Sequence, residues 1–205
     1  MLYGYSCGFT LFRFVFLKMS CIFEFTIKPQ ENRWNIEGDI RMDYYLNRHT
    51  EAGSTLFDVF DTAGTCLYTV EGEWGSFGGK LYLRDAAGAE AAKIGCVGIH
   101  GLCKYSVQIG EKERMRVTYN LASSGGSLRL SKTDWSLRGD LLTRSFDAVD
   151  GRGNVRMTHA PCWTAHGDGY GIHVERQQDV PLSLCLAVIV DNAALCGPGC
   201  AVPAN

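Results

Sequence analysis

From about Thr55 onward, apolar and polar positions alternate in short runs broken by turns, the period-two pattern of half-buried strands. Leu56-Phe57-Asp58-Val59-Phe60 leads through Asp61-Thr62-Ala63-Gly64 into Cys66-Leu67-Tyr68-Thr69-Val70-Glu71-Gly72. Lys80-Leu81-Tyr82-Leu83-Arg84 leads in the same way through Asp85-Ala86-Ala87-Gly88 into Ala89 and on to Gly95. Each unit is a hairpin: the aspartate opens the turn by capping its own backbone, and the glycine closes it by accepting a positive φ. Two more hairpins are predicted, from Tyr105 through Gly110 to Tyr119 and from Ser145 through Asp150-Gly151 to Thr158. Strands over Ser127 to Leu130, Asp134 to Arg138 and Tyr170 to Glu175 complete a set of about ten or more, which argues for a barrel or a sandwich.

The exception lies near the end of the chain. Asp179-Val180-Pro181 precedes a run from Leu182 to Cys196 that closes on Gly197-Pro198. Asp179 is placed to cap a helix, Pro181 falls in the first turn where its missing N–H does no harm, and Gly197 with Pro198 stops it. Leu182, Leu184, Leu186, Val188, Ile189 and Val190 leave almost no polar side, so a helix at about 180–196 must be enclosed, and these residues are its expected core. At about 1.5 Å per residue it spans about 24 Å, close to the height of a small barrel and short of a bilayer.

Composition narrows the class. Hydrophobic residues make up 46% of the 205 and charged residues 20%, enough for one large domain with its own core. A net charge of -2 supplies no global field for nucleic acid, and no nucleic-acid partner is expected. Nine cysteines, at positions 7, 21, 66, 96, 103, 162, 185, 196 and 200, include no CxxC pair; they read as reduced thiols of a cytoplasmic protein. Phe9 to Leu17 is apolar but interrupted by Arg13, with no basic segment before it and no small-residue cleavage site after it. It is a poor signal peptide and too short to span a bilayer, so no stable membrane insertion is expected.

Four segments stand out in order along the chain: Thr69-Val70-Glu71-Gly72 with Ser76-Phe77-Gly78-Gly79-Lys80-Leu81, then Asp134-Trp135-Ser136-Leu137-Arg138-Gly139-Asp140, then Gly167-Asp168-Gly169-Tyr170-Gly171-Ile172, and finally the helix ending in Val190-Asp191-Asn192. Together they resemble the LURP-one-related branch of the tubby C-terminal-like superfamily. The resemblance covers about Met42 to Cys196. It implies a mostly β protein, a closed antiparallel barrel of about twelve strands around an apolar C-terminal helix. The domain is expected over 42–196, with 197–205 a flexible tail. Met42-Asp43-Tyr44-Tyr45-Leu46 looks like a family start, which makes 1–41 an extension. Trp34-Asn35-Ile36-Glu37-Gly38-Asp39-Ile40 echoes Trp135 to Leu141, so the extension reads either as an added strand pair or as sequence ahead of the true start.

The densest set of ligand-type side chains is His159, Cys162, His166, Asp168 and His173. A zinc site needs three or four such groups converging tetrahedrally, and this spacing is unconventional. With His159 and His173 on strands either side of a Pro161-Cys162-Trp163 loop, solvated turn residues are the simpler account. Cys196-Gly197-Pro198-Gly199-Cys200 holds two thiols that a disulfide could join, though a frayed tail explains them better. Gly75-Ser76-Phe77-Gly78 lacks the first glycine of a nucleophile elbow, and neither a P-loop nor a dinucleotide fingerprint occurs. Lys80, Arg84, Lys93, Lys104, Lys112, Arg114 and Arg116 fall on strands and turns, as a solvated barrel face or as a site for anionic head groups.

The expected function is a non-catalytic binding or scaffold domain, without a cofactor, whose partner is a protein or an anionic phospholipid head group. A scramblase-like, membrane-associated lipid-handling protein is one alternative. A metal-dependent enzyme using His159, Cys162 and His166 is the other.

Overall fold

The computed structural model describes residues 42–49, 54–73, 79–99, 102–120, 127–141, 143–164 and 167–195, without side chains at 98, 99, 102 and 193–195. The extension, the tail, and the expectations placed on Ser76 to Gly78, His166 and Cys196 to Cys200 lie outside them.

Twelve strands follow one another: β1 (Met42–Arg48), β2 (Thr55–Phe60), β3 (Cys66–Gly72), β4 (Lys80–Asp85), β5 (Glu90–Ile99), β6 (Leu102–Ile109), β7 (Lys112–Asn120), β8 (Ser127–Ser131), β9 (Ser136–Asp140), β10 (Ser145–Val149), β11 (Val155–Thr164) and β12 (Gly167–Val174). A 3-10 turn, Gln177–Asp179, then leads into α1 (Val180–Leu195). The strands form one antiparallel sheet in the order β8-β7-β6-β5-β4-β3-β2-β1-β12-β11-β10-β9. Its two end strands, β8 and β9, are joined by residues 132–135 and approach each other without a hydrogen-bonded ladder, so the barrel is nearly closed.

Three turns share the chemistry expected of two. Asp61 Oδ1 accepts from the N–H of Ala63 at 2.9 Å and of Thr65 at 2.8 Å. Asp85 Oδ1 does the same for Ala87 and Ala89, and Asp150 Oδ1 for Arg152 and Asn154. In the third turn the left-handed position falls to Gly153, φ 84°, and not to Gly151. Burial raises the Asp150 carboxyl, but hydrogen bonds from Asn154 and Arg152 and the Arg156 guanidinium outweigh it and hold the group down at about 2.

Inward positions of the strands, among them Leu46, Val59, Leu81, Ile94, Val107, Met115 and Ile172, are buried against α1. Leu182, Leu184, Leu186, Val188, Ile189 and Val190 are all buried, on every side of the helix. The helix entry differs from the capping expectation. Asp179 lies in the 3-10 turn, where its N–H bonds to the Arg176 carbonyl at 2.9 Å, and its carboxylate turns to Arg156 Nη1 at 3.6 Å instead of capping α1.

Candidate functional site

The expected metal ligands do not come together. β11 runs straight through Pro161-Cys162-Trp163, so the loop expected there is strand. Proline is tolerated because pairing of β11 with β10 ends at His159, leaving an open edge on that side. His159 faces the interior and is fully buried, which corrects the reading of it as a solvated turn residue. Thr158 pairs with His173, so His173 points to the opposite face, where its Nδ1 meets Asp43 Oδ1 at 2.6 Å. Cys162, an odd number of residues beyond His159, also faces away from it, and its partner Gly169 lies about 13 Å along β12 from His173. Asp168 is exposed. Among the described residues no group of three or more His, Cys, Asp or Glu side chains is arranged to hold a metal ion.

His159 belongs instead to a polar cluster at the end of the barrel where α1 finishes. Asp191, on α1, has a side chain only 2% exposed. Its Oδ2 accepts from Arg48 Nη1 of β1 at 3.1 Å, and its Oδ1 from the Tyr170 hydroxyl of β12 at 2.9 Å. Arg144 Nη1 lies 3.3 Å from the same Oδ1 and also bonds the Tyr170 hydroxyl. Arg144 reaches this place from a left-handed backbone, φ 58°, and its carbonyl accepts from His159 Nδ1 at 2.7 Å. The imidazole is stacked between Phe146 and Tyr170, each with ring centroids 4.8 Å away. Burial lowers the His159 pKa to about 4, which keeps the ring neutral beside Arg144. Burial and then the Asp191 charge raise the Tyr170 phenol. Both oxygens of Asp191 are taken, so the cluster fastens the helix to three elements of the wall, while His159 Nε2 is buried beside it without a hydrogen-bond partner.

The second candidate is a surface. Reading the ladders across β4 to β8 gives three rows on the outer face: Val97, Lys104, Thr118, Arg129; then Lys80, Gly95, Ser106, Arg116, Ser131; then Tyr82, Lys93, Gln108, Glu113. Glu113 is the single acidic residue in these rows, and both its oxygens are held by Arg116 at 2.8 and 2.9 Å. Lys80, Lys93, Lys104 and Arg129 have no acidic partner among the described residues. Arg84, lower on β4, is spent on Glu71 at 3.0 Å. Small side chains between the cations leave the face shallow, and Val97, opposite Lys104, is 53% exposed. Sequence reasoning missed Arg129, whose place on this face depends on its register with Thr118. It also missed Arg48, Arg144 and Tyr170; the only signal was an aspartate in an otherwise apolar helix, which needs a partner wherever it is enclosed.

No helix among the described residues is long and apolar enough to cross a membrane. A nearly closed antiparallel barrel around one C-terminal helix defines the class of protein. The family model for LURP-one-related proteins matches residues 42–191, and the chain belongs to that family. It is 29% identical over 150 residues to the Bacillus subtilis (strain 168) protein called Uncharacterized protein YxjI, covering 73% of this chain and 92% of that one. A solved X-ray structure of an Arabidopsis thaliana protein is similar with a TM-score of 0.50 at 16% identity, over 74% of this chain and 90% of that one, a likeness of fold alone.

Proposed function

We propose that this protein is a non-catalytic cytoplasmic binding domain whose β4 to β8 face docks on an anionic surface, best matched by the head groups of an anionic membrane. The carrying observation is the set of Lys80, Lys93, Lys104 and Arg129 on β4, β5, β6 and β8 of one face, with no acidic partner among the described residues. A convex, shallow face of long-stemmed cations suits a plane of charges better than a single deep ligand. The exposed Val97 beside Lys104 adds an apolar contact at the interface. Each basic residue near an anionic leaflet contributes about 1 kcal/mol, so four give about 4 kcal/mol, or roughly a thousandfold in partitioning. The expected outcome is that the full chain co-sediments with vesicles containing phosphatidylserine and not with pure phosphatidylcholine vesicles, that salt releases it, and that Lys104→Glu with Arg129→Glu abolishes binding. Equal binding to both vesicles, or none to either, refutes the membrane reading; in the second case an acidic protein becomes the candidate partner for the face.

A further inference from the structure

At the opposite end from the Asp191 cluster, where α1 begins, the link between β8 and β9 borders a cavity of about 410 Å³, within the range of small-ligand sites. Its lining is dominated by charged and polar side chains. Most of these are already engaged. Glu113 is held by Arg116, and Arg156 is fixed by Asp150 Oδ2, 3.1 Å from Nε and 2.9 Å from Nη2, and by Asp179 at 3.6 Å. Two lining cations stand apart: Arg114 and Lys132 have no acidic partner among the described residues. Lys132 also holds a left-handed backbone, φ 67°, a conformation that non-glycine residues rarely adopt. Trp135, 7% exposed, adds an apolar patch to the lining, and its backbone N–H donates to Thr133 Oγ1 at 3.3 Å.

A ligand for this cavity must carry an anionic group, to meet Arg114 and Lys132, and hydrogen-bond donors for the remaining lone pairs of Asp134, which accepts from the Gly151 N–H at 3.4 Å, and of Asp179, which pairs with Arg156. Those two carboxylates repel a second phosphate, and the nearly buried Trp135 and Leu182 leave little surface for an apolar body. We propose that the cavity is a binding site for a hydroxylated phosphate monoester of sugar-phosphate size, its phosphate on Arg114 and Lys132 and its hydroxyls on Asp134 and Asp179.

The test is isothermal titration calorimetry of the full chain with glucose 6-phosphate, glucose and inorganic phosphate as probes. Glucose 6-phosphate is expected to bind saturably and at least tenfold more tightly than either other probe. Arg114→Gln with Lys132→Gln should weaken that binding tenfold or more with no fall in melting temperature. Asp134→Asn should weaken the sugar phosphate and spare inorganic phosphate. Lys132→Gly, which suits the left-handed backbone, should raise the melting temperature while weakening binding. Lys104→Glu with Arg129→Glu, on the outer face, should leave calorimetric binding intact, so that failure of this site and failure of the membrane face are distinguishable. Absence of binding, equal affinity for inorganic phosphate or for glucose, or binding indifferent to the Arg114 and Lys132 changes would overturn the assignment.

Discussion

Replacing Asp191 by alanine deletes the acceptor on which β1, the β9 to β10 turn and β12 converge. Two hydrogen bonds to a carboxylate at about 1.5–3 kcal/mol each, together with the Arg144 ion pair, would sum to more than one side chain delivers, because the donors recover part of the loss. Arg48 is 42% exposed and Arg144 27%, so both guanidiniums can turn toward water, whereas the Tyr170 hydroxyl is left against the helix. Breaking a fully buried pair costs about 3–5 kcal/mol; with that recovery we expect about 2–4 kcal/mol. For a domain of this size each kcal/mol moves the midpoint by about 2–4 °C, so thermal denaturation followed by circular dichroism should show a fall of about 4–16 °C. Arg48→Met, which removes one half-exposed partner, should cost no more than about 1 kcal/mol. If Asp191→Ala melts with the wild type, or if Arg48→Met is the more damaging change, the cluster does not fasten the helix.

Two further outcomes rest on other observations. A Cβ at Gly169 would sit 2.7 Å from Asn47 Oδ1 and 2.8 Å from the Leu46 carbonyl, so Gly169→Ala should cost about 1–3 kcal/mol in urea titration; at Gly171 the nearest atom is 3.8 Å away, and Gly171→Ala should stay within about 0.5 kcal/mol. His159, lowered to about 4 by burial, is neutral in the folded state while the unfolded residue titrates near 6.5, so stability is full above that value and falls as the pH drops from 6.5 toward 4, by up to about 3 kcal/mol. Melts over this range should lose most of that slope in His159→Phe, and an unchanged slope would refute the assignment.

What could be read from the sequence was what short-range chemistry decides. Asp61 and Asp85 announce their turns because donor and acceptor lie within four residues. The enclosure of α1 follows from the apolar run around Leu186, whatever surrounds it. The Asp191 cluster was not readable, because Arg48 is 143 positions from Asp191 and only the order of strands brings them together. His159 misled for a related reason: a histidine next to Pro161 and Cys162 looks like loop chemistry, and its burial depends on Phe146 and Tyr170 from other strands. The basic face was half visible. The residue types were evident, but the alignment of Lys104 with Arg129 across Thr118 needed the register.

The binding domain is built around α1 as the core of the barrel, not as an apolar tail free to enter a membrane, and Leu186→Asp separates the two. Leu186 is fully buried. The substitution forfeits about 1.5–3 kcal/mol of burial and adds an unpaired carboxyl costing several kcal/mol more. Against a total stability of about 5–15 kcal/mol, the variant should lack a cooperative circular-dichroism melt. A Leu186→Asp protein that melts at the wild-type temperature would contradict the enclosed helix and the binding domain built around it.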